Sequence, residues 1–98
     1  MDDYEIILKR SAVEDLDRLR KFDAVRIADA MEEHLSHAPQ NETRSRIRPL
    51  RGVSNPDYRL RVDDYRVFYS VDEEAHRVTV LRVMHKDETR SYYEELEP

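Results

Sequence analysis

The sequence predicts an α+β fold: a small antiparallel β-sheet covered on one face by an N-terminal helical hairpin, in the order β-α-α-β-β-β. Two kinds of periodicity carry the prediction. Tyr58 to Tyr69 (YRLRVDDYRVFY) alternates apolar and polar residues in two runs around Asp63-Asp64, the mark of two half-buried strands joined by a tight turn. Residues 12–35 instead repeat their apolar positions every three or four residues, which is helical. A third apolar run, Arg77 to Met84, supplies a further strand.

Taken in order, Tyr4 to Leu8 reads as a short strand with Ile6 and Leu8 on one face. Ser11 and Glu14 have capping-box spacing, and Val13, Leu16 and Leu19, with Ala12 flanking, form a helical stripe through about Arg20. Lys21-Phe22-Asp23 is a short connection, and Asp23 can cap a second helix whose stripe is Ile27, Ala28, Met31 and Leu35. So short a connection makes the helices an antiparallel hairpin. Both stripes suit a core better than a cofactor site. Ala38 to Thr43 is a polar loop. Ile47 to Leu50 is a short strand that Pro49 confines to an edge. Gly52 and Ser54-Asn55-Pro56-Asp57 punctuate the turn that follows.

In the hairpin, a two-residue loop pairs Val62 with Tyr65 and Leu60 with Val67 on the buried face. On the open face it sets Arg61 directly opposite Arg66, and Arg59 opposite Phe68. Asp-Asp is a poorer hairpin turn than Asn-Gly, yet a slip by one residue would expose the whole apolar set, so burial fixes the register. Asp72 to His76 turns into the last strand, where both alternating sets are largely apolar, which suits a central strand. With Val71 paired to Arg77, Arg82 falls opposite Arg66. Ser91 to Leu96 closes the chain with a helical turn.

Ninety-eight residues make one domain, 1–98, with room for a single core. The absence of cysteine excludes disulfides and thiolate metal sites and suits a reducing cytoplasm. No apolar run approaches the roughly 18 residues of a membrane span. Met1-Asp2-Asp3 is acidic and leads straight into a strand, unlike a signal peptide. The net charge of −5 is unevenly spread: residues 44–71 hold seven arginines against three aspartates, a net of +4, which leaves −9 on the rest. A cationic centre in an acidic body can hold a phosphate backbone locally, with weak long-range attraction.

Like charges directly opposed on a sheet are destabilising, so the Arg61–Arg66 pairing points to an anionic ligand. Any one arginine on such a face is ordinary solvated surface; three converging beside an aromatic favour a site. His34 and His37 are three apart but have no partner ligand nearby, His76 is in a turn, and no Gly-rich phosphate loop, nucleophile elbow or carboxylate pair is present, so no cofactor or metal is expected. A cationic face suits phosphodiester chemistry. Guanidinium holds phosphate bidentately but is a poor proton carrier, so acid-base work falls to His85, Lys86 or Tyr92. Phe68 is placed to stack on a base.

The sequence resembles the RelE/ParE superfamily of type II toxins. The resemblance runs from the first strand to Tyr92 and rests on Leu50-Arg51-Gly52, the YRLRV-x-x-YRVFYSV hairpin and the strand leading into His85-Lys86. RelE-like members are ribosome-dependent endoribonucleases that cut translated mRNA and are silenced by a cognate antitoxin. The resemblance places Arg59 and Arg61 where RelE-type toxins have two strand lysines. It matches Arg66 to their second-strand arginine, Lys86 to an arginine after the last strand, and Tyr92 to a C-terminal tyrosine; His85 stands where some relatives have histidine. It implies catalytic roles for Arg61, Arg66, His85, Lys86 and Tyr92, and RNA contacts by Arg51, Arg59, Phe68 and Arg82. The missing strand lysines and a pI near 5.3 depart from that pattern. They suit a second reading, a ParE-like toxin that binds DNA gyrase without doing chemistry. A third reading is an inactive member that only binds its antitoxin. All three imply an antitoxin partner that wraps the toxin through an amphipathic segment.

Overall fold

The computed structural model describes residues 3–42, 46–53 and 55–96. Met1, Asp2, Thr43, Arg44 and Ser54, which entered the readings above, lie outside them. The strands are β1 (Glu5–Leu8), β2 (Ile47–Pro49), β3 (Tyr58–Val62), β4 (Tyr65–Asp72) and β5 (Arg77–His85). The helices are α1 (Arg10–Asp17), α2 (Lys21–Leu35) and α3 (Thr89–Leu96), the last preceded by a 3₁₀ turn at Lys86–Glu88. The sheet order is β1-β5-β4-β3-β2. One face packs on α1 and α2 through Ala12, Ile27, Met31 and Leu35, against Leu60, Val67, Tyr69, Val78 and Val80. The fold is α+β.

The β3–β4 hairpin has the register that burial demands: Val62 faces Tyr65, Leu60 faces Val67, Arg61 faces Arg66 and Arg59 faces Phe68. Its turn is bought from outside, since Asp63 takes positive φ (53°), a conformation Asp tolerates better than most residues. Arg26 of α2 holds the Asp63 carboxylate, and the Tyr65 hydroxyl donates to Asp23 at 3.2 Å. Deeper in the core, fully buried Tyr69 donates its hydroxyl to the Pro39 carbonyl at 2.6 Å. Each buried Leu, Ile or Val of this face contributes roughly 1.5–3 kcal/mol by leaving water.

Four details differ from the sequence reading. First, the sheet is mixed, because β1 runs parallel to β5, pairing Glu5 with Arg77 and Leu8 with Val80. Hairpins dictate antiparallel pairing only between strands they join, and β1 is joined to none. Second, no capping box forms at α1: its N-cap is Lys9, and the Ser11 hydroxyl donates to the Leu81 carbonyl at 2.6 Å. Val13 is exposed, and Asp15 takes the inward position instead. Third, α2 begins at Lys21, so Lys21-Phe22-Asp23 is its first turn, and Ala28 faces out while Ala30 packs on the core. Fourth, β4 rather than β5 is the middle strand, although β5 is interior as expected, with β4 on one side and β1 along Arg77–Val80 on the other.

The β4–β5 ladder also slips by one residue. Val71 pairs with Val78 and Asp72 with Arg77; then Tyr69 pairs with Val80 but Phe68 with Arg82, leaving Leu81 as an extra residue in β5. Arg82 therefore opposes Phe68, and Met84 opposes Arg66. Beyond Val80, β5 has no strand on its outer side. There α1 supplies the missing partners: Ser11 to the Leu81 carbonyl and the Asp15 carboxylate to the Val83 amide at 2.8 Å. An otherwise open strand edge is closed by side chains.

Candidate nucleic-acid interface

Alternation along each strand puts Arg48, Arg59, Arg61 and Arg66 on the sheet face away from α1 and α2. Arg48 stands directly across from Arg59, and Arg61 across from Arg66. The crowding is felt electrostatically. Burial depresses the Arg59 guanidinium pKa most; Tyr93 acts in the opposite sense, and Arg66, Arg48 and Arg61 depress it further. Burial and then Arg61 do the same to Arg66. Arg66 also donates to its own turn, to the carbonyls of Asp63 and Tyr65 at 3.0 and 2.9 Å. Among the described residues, no carboxylate lies within 4.0 Å of Arg59, Arg61 or Arg66. Arg10, Arg18, Arg20, Arg26, Arg77 and Arg82 each have one. Among the described residues, Arg59, Arg61 and Arg66 thus share one face without a carboxylate in ion-pair contact.

The neighbouring part of that face is roofed by α3. Phe68 is 0% exposed beneath it, with its ring centroid 4.7 Å from that of Tyr92 and 5.7 Å from that of Tyr93. Met84 completes this second cluster, with Leu50 and Leu96 packed around it. The expectation that Phe68 stacks on a base is therefore overturned: its faces are already covered by the protein. Tyr92 is corrected too. It is 7% exposed, burial pushes its phenol above the ordinary range, and it packs inward on Phe68. Tyr93, the next residue, stays partly exposed and lies within electrostatic reach of both Arg59 and Arg66.

The other sequence-derived residues stand apart from this cluster. Arg82, opposite Phe68 rather than Arg66, turns to Asp15 and makes hydrogen bonds of 2.7 and 3.0 Å. His85 pairs with Tyr65, whose side of the sheet is the helix-packed one, and meets its ring edge-on at 5.6 Å. Its Nδ1 accepts from the Asp87 amide at 3.1 Å and so caps the 3₁₀ turn. Lys86 lies at the hairpin turn, its ammonium 3.6 Å from Asp64. Arg51 is exposed beyond β2 and is not among the charges acting on Arg59. Along the free end of β3 runs a groove of about 570 Å³, lined by Phe22, Val25 and Arg26 of α2 and by Arg61 and Val62. Phe22 there is 72% exposed and Val25 49%. Among the described residues, no cluster of histidines and carboxylates is arranged to hold a metal ion, and no helix is long and apolar enough to cross a membrane.

Residues 6–90 match the family model described as the ParE toxin of the type II toxin–antitoxin system parDE. The chain belongs to the ParE toxin family. No curated protein matches it. Solved structures give the RelE side of the same superfamily. The RelBE2 toxin–antitoxin complex of Mycobacterium tuberculosis matches with a TM-score of 0.72 at 28% identity, over 87% of this chain and 93% of that one. The archaeal RelE–RelB complex of Pyrococcus horikoshii gives 0.70 at 26%, over 88% and 97%. A doubly substituted Escherichia coli RelE toxin in its free state gives 0.70 at 25%, over 96% and 94%.

One residue of the toxin's arginine face, Arg48, escaped the sequence reading, and the adjacent Tyr92 and Tyr93 left open which phenol serves the site. Arg48 was legible in the alternation Arg46-Ile47-Arg48, which sets both arginines opposite in sense to a buried isoleucine. Tyr93 was legible in the helical spacing of Tyr92 and Leu96: if those two pack inward, Tyr93 takes the rim.

Proposed function

We propose that this toxin is a ribosome-dependent endoribonuclease that cleaves translated mRNA on the arginine face and is neutralised by a cognate antitoxin. The observation that carries the reading is the convergence of Arg59, Arg61 and Arg66, none with a carboxylate partner among the described residues, beside the partly exposed Tyr93. Transesterification needs the 2′-hydroxyl oxygen to attack phosphorus while the bond to the 5′-oxygen breaks. The proton lost by the first oxygen is balanced by one delivered to the second. Charge builds on the phosphoryl oxygens, and preorganised cations there are the strongest available aid. Arg61 and Arg66 clamp those oxygens, Arg59 positions the strand, and the Tyr93 phenol, rather than Tyr92, exchanges a proton. Lys86, held by Asp64, supports charge on the leaving side. His85, paired with Tyr65 on the helix-packed side and with Nδ1 engaged by the Asp87 amide, is left outside the proton transfer.

The match to a ParE family model favours a second reading, a toxin that binds DNA gyrase and does no chemistry. In either case the antitoxin lays an amphipathic segment along the groove beside α2, where Phe22 and Val25 offer apolar anchors. A cell-free translation reaction, with the message mapped by primer extension, separates the readings. Cuts that need both ribosomes and the wild-type toxin, and that vanish with Arg66→Ala, support cleavage. An intact message together with inhibited gyrase supercoiling supports the second reading, and silence in both assays leaves a protein that only binds its antitoxin.

A further inference from the structure

α3 has eight residues, and a helix that short has little stability of its own in water. Its position must come from tertiary contacts, and these include one made from across the sheet. Asp15 on α1 has a side chain only 5% exposed, yet every acceptor demand on it is met. It takes hydrogen bonds from Arg82 Nε and Nη2 at 2.7 and 3.0 Å and from the Val83 amide at 2.8 Å, and Arg18 approaches to 3.5 Å. The Arg82 guanidinium lies over the Tyr92 ring, 5.7 Å from its centroid. Tyr92 in turn packs on Phe68 at 4.7 Å. A buried ion pair is a poor way to gain stability compared with apolar residues of the same size. What it offers is geometry, because a bidentate guanidinium–carboxylate contact fixes direction as well as distance.

We propose that Asp15 and Arg82 are positioning residues: Asp15 fixes the Arg82 guanidinium over Tyr92, and this contact sets α3 so that the Tyr93 hydroxyl stands at the Arg59–Arg66 cluster. The inference rests on the RNA-cleavage reading for its kinetic consequence, but not for its structural one. Neither residue touches the RNA. Loss of the clamp lets α3 shift on the Phe68–Met84 cluster without unfolding the sheet.

The test uses the full-length toxin with 3-fluorotyrosine at position 93, as wild type and as Arg82→Met, Arg82→Lys and Asp15→Asn. In Arg82→Met, the fluorine resonance moves towards that of the denatured protein. kcat for ribosome-dependent cleavage falls on the order of 10-fold with KM within about twofold, inside the roughly 100-fold that a displacement of about 1 Å costs. Arg82→Lys keeps a cation for Asp15 and recovers part of both signals. Should Arg82→Met fail to fold, Asp15→Asn is read in its place, since its amide oxygen still accepts from Val83. A folded variant whose fluorine resonance and kcat match wild type overturns the proposal. If wild-type toxin cuts no message, the cleavage reading falls, and the fluorine resonance alone decides the clamp.

Discussion

Replacing Arg61 by glutamine will make the folded toxin more stable at low salt while weakening the hold on RNA that the proposed function assigns to it. Arg61 stands directly across from Arg66, and among the described residues neither has a carboxylate within 4.0 Å. A like-charge pair in that position costs roughly 0.2–1 kcal/mol, and Arg61 also acts on Arg59. The gain is thus about 0.5 kcal/mol. For a domain of this size 1 kcal/mol moves Tm by roughly 4–8 °C, so the expected rise is about 2–4 °C. Glutamine retains the first methylenes of the side chain, which keeps the packing change small. The assay is thermal unfolding followed by circular dichroism, in about 20 mM and about 1 M NaCl. At the higher salt the screening length drops to about 3 Å, and the advantage should collapse. A variant no more stable than wild type at low salt refutes the reasoning. So does a gain that persists at high salt, which would mean packing rather than charge.

Three further outcomes follow from the same geometry. Tyr65, Tyr69 and Tyr92 all have phenols pushed above 10.0, by burial first in each case. The native state keeps them protonated while the unfolded chain releases its protons near pH 10, so stability is full below that value and falls as pH rises through it. Urea melts between about pH 8 and 11 should show this fall, with a shallower slope in Tyr69→Phe, which also loses about 1 kcal/mol at neutral pH with its bond to Pro39. Phe68→Ala should cost roughly 3–5 kcal/mol in chemical denaturation, as for a fully buried ring; a cost near zero would restore the base-stacking role. In the translation assay, Tyr93→Phe should cut cleavage on the order of 100-fold and Tyr92→Phe should leave it within a few-fold, and the reverse order would return the role to Tyr92.

The hairpin register was legible because its alternation is strict and one face is buried: Leu60, Val67 and Tyr69 admit only one pairing that hides them all. Two kinds of information were not. Nothing local in Glu5–Leu8 states which strand it joins or in which direction, because that depends on where α1 and α2 return the chain. Nor does the alternation announce that Val71 pairs with Val78 or that Leu81 stands outside the ladder, so Arg82 was set opposite Arg66, two positions astray along β4. At the candidate site, strand arginines were read correctly to their face, since parity suffices. The residues that needed a helix placed on that face, Phe68 and the choice between Tyr92 and Tyr93, were not, because the roofing of Phe68 by α3 is a long-range event.

The extra residue in β5 has a consequence for how the chain can change its length. In a strand, removing one residue turns everything beyond it to the opposite face, so deletions inside β3 or β4 would bring arginines against α2 and valines to water. Leu81 is exempt. Val80 and Arg82 already sit on opposite faces, as neighbours in an uninterrupted strand would, so excising Leu81 closes the ladder without inverting Val83 or Met84. What is lost is local: the carbonyl that receives Ser11 and the bend that a bulge puts into its strand. Among the described residues, this gives the sheet interior one position where the strand can shorten by a residue and still keep its core and its charged face on their own sides.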